Sequence, residues 1–278
     1  MAVIAFVDGS KWDKSVIEHA AWAAKATGQS ITVVAQEDSA QHEPAIAYDA
    51  YQQMNPREDM YRELAVASRT EYPEPDTNAI EIAQSAARRA RQLEIEHVRT
   101  STASDPLPYF VENFTDSSDL LVIARRDESE AQSRQWVDQF LKVRSRVMLV
   151  VPDTYAAVES WLIAIDGKPA IGRAVDYLSG RELLQGKPGT AVIVGDDYQS
   201  RIHFRDAVRH LRSSNYDITS HELQGHADDV LAAVLAVSPV DLLVMGAYGQ
   251  GRFRLLNERS TTSRMLKTFR GPVLLARA

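Results

Sequence analysis

The chain contains 278 residues, of which 45% are hydrophobic and 25% are charged. This composition excludes a largely disordered chain, and the length predicts about two domains of roughly 100 to 200 residues each. Acidic residues outnumber basic residues, 38 against 31, so the net charge of −7 argues against nucleic acid or an anionic membrane as a partner.

The sequence contains no cysteine, which excludes disulfides, thiolate nucleophiles and cysteine-ligated metal sites. The amino-terminal residues lack the basic segment and long apolar core of a signal peptide, and no apolar run approaches the roughly 18 residues of a membrane span. These features predict a soluble protein of a reducing, cytoplasmic compartment.

Short runs rich in Val, Ile and Leu alternate with segments of helical periodicity, which is typical of βα units and a parallel sheet. The helical segments carry apolar stripes, which are Val16, Ala20, Ala23 and Ala24, then Ile171, Ala174, Val175 and Leu178, then Phe204, Val208 and Leu211. Strands are predicted at residues 2–7, 30–36, 95–101, 119–124 and 147–151, and again at 160–165, 190–195, 217–223, 241–246 and 272–276.

Three landmarks recur in the same order in the two halves of the chain. An apolar run ends in Asp-Gly at Asp8 and again at Asp166, Asp-Leu-Leu-Val begins at Asp119 and at Asp241, and each half closes with an apolar strand. We therefore predict an α/β protein with two tandem, doubly wound, five-stranded parallel-sheet domains of Rossmann-like type. The predicted domains are 1–155 and 156–278, with a helix-containing insertion in the polar stretch 36–78 of the first.

The most informative segment follows the fourth predicted strand of the second half, where Gly246-Ala247-Tyr248-Gly249 precedes a helix that opens at Ser260-Thr261. Glycines let backbone N–H groups approach an anion, and the unpaired N–H groups of a helix start hold phosphate. Residues 250–264 also carry more arginines than acidic residues, which favours an anion despite the net negative charge.

These residues resemble the universal stress protein family in its tandem two-domain form. The family pattern is Gly-x2-Gly-x9-Gly-Ser/Thr, and Arg259 stands where the last glycine is expected. The resemblance implies that the second half binds an adenine nucleotide, ATP or AMP, with Mg²⁺ as a companion of ATP. It implies the following site: Asp166 with Val194 or Gly195 at the adenine and ribose, Gly246 and Gly249 at the ribose and phosphates, and Ser260 and Thr261 at the phosphates.

Several alternatives to this site remain open. The Arg259 side chain either fills the phosphate space or pairs with the phosphates. Asp166 is either a ligand residue or a helix N-cap, and for Asp8 we favour the cap. Gly246 and Gly249 serve either a ligand or a turn with positive φ, and Ser260 is either a phosphate ligand or an N-cap.

The first half keeps Asp8-Gly9 but has Arg125 and Arg126 where the glycines are expected, so we predict no family-type phosphate site there. Both arginines are predicted to be solvated in a loop.

No catalytic residues and no metal site are predicted, because none of the seven histidines forms an HExxH motif and no nucleotide-hydrolase or nucleophile-elbow motif is present. The function predicted from the resemblance is a non-catalytic stress-response protein that binds an adenine nucleotide and acts through an unidentified protein partner. The alternatives are a nucleotide-free interaction scaffold and a slow ATP hydrolase. The resemblance also implies that the final strands of the halves meet in an intramolecular pseudo-dimer, which leaves homodimerisation open.

Overall fold

The computed structural model describes residues 1–36, 77–104, 107–126, 137, 139–141, 143, 146–247 and 260–277. The strands are β1 (Ala2–Val7), β2 (Ser30–Gln36), β3 (Val98–Ala103), β4 (Leu120–Ala124), β5 (Arg146–Val151), β6 (Trp161–Ala164), β7 (Gly189–Val194), β8 (Ile218–Leu223), β9 (Leu242–Gly246) and β10 (Val273–Arg277). The helices are α1 (Asp13–Thr27), α2 (Thr77–Gln92), α3 (Leu107–Phe114), α4 (Pro169–Ser179), α5 (Tyr198–Ser213), α6 (Ala227–Val237) and α7 (Thr261–Thr268). Within these ranges no helix is long and apolar enough to cross a membrane.

All ten strands form one sheet in the order β3-β2-β1-β4-β5-β10-β9-β6-β7-β8. The strands of each half are parallel to one another, and the halves join where β10 pairs antiparallel with β5, with Val273 opposite Val150 and Ala276 opposite Val147. The predicted pair of doubly wound parallel sheets is confirmed, as is the meeting of the two final strands. This pairing removes two sheet edges that would otherwise be exposed.

Helices cover both faces of the sheet, so strand residues alternate between two cores. Val3, Ala5 and Val7 face one core together with residues of α1, α2, α4 and α5. Ile4 and Phe6 face the other core together with residues of α3, α6 and α7. The three apolar stripes predicted from the sequence are confirmed, because all of their residues are buried.

The third strand begins three residues later than predicted, at Val98 instead of residue 95. Ile95 is buried, but it follows Glu94, whose φ of 63° turns the chain after α2. The predicted helix within 36–78 falls almost entirely outside the described residues, and the domain limits 1–155 and 156–278 stay a prediction.

The recurring Asp-Leu-Leu-Val landmark ties the start of one strand to its neighbour in both halves. In the first half, Asp119 accepts a hydrogen bond from the Ala2 amide through Oδ1 (2.6 Å) and from the Asp116 amide through Oδ2 (2.9 Å). In the second half, Asp241 Oδ2 accepts from the amides of Glu159 (3.0 Å) and Ser160 (2.9 Å) and from the Ser160 hydroxyl (3.0 Å). The landmark therefore has a structural role at the amino edge of the sheet.

We expect Asp241→Ala to lower the free energy of unfolding by about 1 to 3 kcal/mol, because three donors lose a charged acceptor. Urea denaturation at neutral pH measures the change. Asp241→Asn keeps an oxygen acceptor and is expected to fall between the wild type and the alanine variant. Equal stability of all three proteins would contradict the proposed role.

Candidate functional site

The candidate site lies at the carboxyl edge of the second half, where the strand order reverses between β6 and β9. Ala164 of β6 pairs with Met245 of β9 and Val192 of β7. Asp166, Val194 and Gly246 follow these three residues by one or two positions, so they emerge at the same edge. The Thr262 hydroxyl donates to the Gly246 carbonyl (3.2 Å), which brings the start of α7 to this edge as well.

Six of the eight residues predicted for the site are therefore placed at one edge, namely Asp166, Val194, Gly195, Gly246, Ser260 and Thr261. The other two, Gly249 and Arg259, lie outside the described residues, so the alternatives for Arg259 stay open.

Asp166 is half exposed and forms a local turn. Its Oδ1 accepts from the Lys168 amide (3.0 Å), and the Lys168 ammonium lies 3.4 Å from Oδ2. Lys168, and not Asp166, is the N-cap residue of α4, and its side chain makes no capping hydrogen bond. The helix-cap alternative for Asp166 is therefore wrong. Asp8 forms the same kind of turn with the Ser10 amide (3.1 Å), and the cap predicted for Asp8 is wrong too.

The first turns of α5 hold the backbone beside Asp166 and Val194. Gly167 has a φ of +73°, and a Cβ there would lie 2.8 Å from Ser200 Cα. His203 Nδ1 donates to the Gly167 carbonyl (3.0 Å), and Arg201 donates to the Gly195 carbonyl (3.1 Å). Gly195 has a φ of +128°, which side chains rarely permit. These contacts fix the backbone at this edge of the sheet.

Gly246 lies where the end of β9 closely approaches the start of α4. It is not among the glycines with positive φ, so the positive-φ alternative is wrong at this position. A Cβ on Gly246 would lie 3.3 Å from both Ala170 Cβ and the Ile171 amide nitrogen. The glycine thus lets the start of α4 pack against the end of β9.

The hydroxyls at the start of α7 already have partners within the protein. Ser260 is the N-cap, and its Oγ accepts from the Ser263 amide (3.1 Å), which confirms the N-cap alternative without excluding a ligand. The Thr261 hydroxyl donates to Asp228 Oδ1, in the first turn of α6. Arg264 lies 3.0 Å from Asp229 and 3.8 Å from Asp228. Of the arginines in residues 250–264, the structure describes Arg264, and these two carboxylates offset its positive charge.

At the corresponding edge of the first half, an ion pair links the ends of β1 and β4. Arg126 follows β4 and donates to the carboxylate of Asp8, which follows β1. Asp13 Oδ1 and Oδ2 accept from the amides of Asp8 (3.1 Å) and Gly9 (2.8 Å). Burial, together with the nearby charge of Asp8, raises the pKa of Asp13 to about 7. Asp13 was not predicted from the sequence to take part here; it lies five residues after Asp8, whereas the residue five positions after Asp166 is Ile171.

Arg125 joins the two halves. It is buried and donates to the carbonyls of Phe269 (2.6 Å) and Arg270 (3.5 Å), which precede β10. The prediction that Arg125 and Arg126 are solvated is therefore wrong. Antiparallel pairing of β5 with β10 sets these carbonyls beside the end of β4, and a buried guanidinium requires such acceptors.

The described residues contain no group of three or more His, Asp or Glu side chains placed to bind a metal ion. Mg²⁺ usually keeps several waters and binds through one or two carboxylates together with substrate phosphates.

No family model matches the chain. A curated relative, universal stress protein Slr1230 of Synechocystis sp., is 25% identical over 284 residues, which cover 99% of each chain. The crystal structure of a universal stress protein from Archaeoglobus fulgidus superposes with a TM-score of 0.68 at 16% identity, over 99% of this chain and 96% of that one. The cytoplasmic domain of a prokaryotic cation chloride cotransporter gives a TM-score of 0.56 at 8% identity, over 99% and 95% of the two chains, so the fold is shared beyond stress proteins.

The relative and the first of these structures both span the two halves of this chain and the sheet that joins them. The resemblance to the universal stress protein family, in its tandem two-domain form, is therefore confirmed along the whole chain.

Proposed function

We propose that this protein is a non-catalytic stress-response protein that binds an adenine nucleotide, ATP or AMP, in the cleft of its second half. One observation carries the proposal: the half-exposed Asp166, the positive-φ Gly195, the closely packed Gly246 and the helix start capped by Ser260 lie at the edge where the strand order reverses. In open α/β sheets this edge is where ligands bind. The name of the curated relative supports the stress-response role.

Each element of the cleft has a proposed part in binding. Asp166 accepts hydrogen bonds from ribose hydroxyls, and the half-buried Val194 with Gly195 packs against adenine. Gly246 gives the ribose access to the backbone, while Ser260 and Thr261 lie at the phosphates. Gly249 and Arg259 are proposed to complete the phosphate end.

The rival proposal, a nucleotide-free scaffold, is supported by the internal partners of the phosphate-end hydroxyls. Ser260 caps its own helix, and Thr261 donates to Asp228. The ion pair of Asp8 with Arg126 links the strand ends at the equivalent edge of the first half in a comparable way. Binding measurements separate the two proposals.

We expect Asp166→Ala to weaken adenosine, AMP and ATP binding by about tenfold or more, because a charged acceptor for the ribose hydroxyls is lost. Calorimetric titration of nucleotide-stripped protein, with and without Mg²⁺, gives the affinities. Phosphate release is followed on the same samples and tests the slow ATP hydrolase.

Asp176→Ala is the matched control, because Asp176 is an exposed carboxylate of α4 and its replacement changes the net charge equally. Equal weakening by both variants would show a general charge effect. Absence of binding to folded wild-type protein would contradict the proposed function and favour the scaffold.

A further inference from the structure

We infer that Asp228 makes the cleft discriminate against highly phosphorylated ligands, so that an adenine nucleoside or monophosphate is preferred to the triphosphate. The inference rests on the proposed function, because it concerns the phosphate end of the same cleft. It starts from the contact between Asp228, in the first turn of α6, and Thr261, the first residue of α7.

The hydrogen bond from Thr261 to Asp228 removes a donor from the cleft. A hydroxyl carries a single hydrogen, and Thr261 directs it to Asp228 Oδ1. What Thr261 then offers to a ligand is a pair of acceptor lone pairs, which repel a phosphate oxygen. A phosphate at this helix start must first displace the Asp228 carboxylate from Thr261.

Charge acts in the same direction. The positive end of α7 would attract a phosphate, but the Asp228 carboxylate lies against the first residue of that helix. Arg264 balances only one of the two neighbouring carboxylates, at 3.0 Å from Asp229 and 3.8 Å from Asp228. Asp228, Asp229 and Arg264 together carry one net negative charge, which opposes the attraction expected from the other arginines of residues 250–264. The cost of this negative charge grows with each phosphate of the ligand.

Asp229 provides a matched control within the same helix turn. Its side chain is 69% exposed, against 27% for Asp228, and its described contact is with Arg264, not with Thr261. Changing Asp229 to Asn removes the same formal charge a single residue away. A difference between the two variants therefore reports the contact at Thr261 rather than the net charge.

The test compares wild type, Asp228→Asn and Asp229→Asn in calorimetric titrations with adenosine, AMP and ATP, each with and without Mg²⁺. The carboxamide oxygen of Asp228→Asn still accepts from Thr261, so we expect the fold to be kept, and thermal melts check this. We expect Asp228→Asn to raise ATP affinity about tenfold, AMP affinity less, and adenosine affinity not at all. Asp229→Asn is expected to change ATP affinity by about twofold at most, because its exposed charge is screened.

Unchanged ATP affinity in Asp228→Asn, with adenosine still bound, would overturn the inference and leave the proposed function standing. A loss of ATP affinity confined to the Mg²⁺ titrations would also overturn it, since Asp228 would then be a ligand of the metal–nucleotide complex. If none of the three folded proteins bound adenosine, AMP or ATP, the proposed function itself would fail, and the inference with it.

Discussion

Replacing His19 by glutamine is expected to protect the protein from acid. As the pH falls from 7.5 to 4, the free energy of unfolding of the wild type should fall by about 3 kcal/mol more than that of His19→Gln. The reason is the environment of the imidazole in the middle of α1.

His19 is fully buried and has one hydrogen-bonded ring nitrogen. Nδ1 donates to the Ser15 carbonyl (2.8 Å), and Nε2 has no hydrogen-bond partner in the described part of the chain. The Tyr155 ring packs edge-on against the imidazole with the ring centroids 4.9 Å apart. Burial lowers the pKa of His19 from 6.5 to about 4, although the Ser15 carbonyl and the charge of Glu18 act in the opposite direction. A proton on Nε2 would have no acceptor.

The direction of the pH effect follows from these two values. Below pH 6.5 the unfolded chain binds a proton at His19, whereas the folded protein does so only below about pH 4. The contribution of the neutral imidazole to stability is therefore complete above pH 6.5 and is lost as the pH falls toward 4. A shift of this size corresponds to about 3 kcal/mol.

Asp13, in the same helix, has the opposite effect on the pH dependence. Its pKa is raised from 3.8 to about 7, so the folded protein binds this proton more readily than the unfolded chain does. Asp13 therefore favours the folded state increasingly as the pH falls from 7 toward 4. In the wild type the two residues offset one another, and His19→Gln leaves the Asp13 effect unopposed.

Urea denaturation at half-unit intervals from pH 7.5 to pH 4 measures both effects. The control is His210→Gln, because His210 is exposed in α5 and its replacement changes the composition identically. Parallel pH profiles for His19→Gln and the wild type would show that the imidazole keeps its ordinary pKa in the folded protein and would contradict the prediction.

The sheet was predictable from the sequence because each strand lies between two layers of helices. Strands covered on both faces are continuous apolar runs, such as Leu120–Ala124 and residues 147–151 of β5, and the strand limits lie close to the points where the runs stop. β3 has the sequence VRTSTA and lies at the edge of the sheet, so it lacks such a run. This is why its start was misplaced by three residues.

The side-chain partners at the two clefts were not predictable in the same way. Asp8 and Arg126 are separated by 118 residues, and Thr261 and Asp228 by 33. Local propensity and periodicity carry no information on such pairs, which depend on the order of the strands. The resemblance supplied the residues of the proposed site, whereas the contact of Asp228 with Thr261 depends on the packing of α6 beside α7.

A large packing effect in the second half is expected from adding a methyl group to Gly189. Trp161 of β6 lies directly opposite Gly189 of β7, and a Cβ on Gly189 would be 2.5 Å from the indole atoms Cε2 and Cζ2. The fully buried indole has little room to retreat, since Nε1 donates to the Lys187 carbonyl (3.1 Å) and Tyr216 packs against the ring at 5.6 Å. We expect Gly189→Ala to lower the free energy of unfolding by about 3 kcal/mol, as measured by urea denaturation.

A double-mutant cycle tests whether the indole is the cause. Trp161→Phe removes the indole benzo ring, so Gly189→Ala should cost about 2 kcal/mol less in that background than in the wild type. Gly172→Ala in α4 is the control, because a Cβ there meets no atom within 4 Å and alanine favours the helix, so stability should hold or rise slightly. Additive effects of Gly189→Ala and Trp161→Phe would show that the strain lies in the backbone of β7, and that the opposite strand does not require glycine at this position.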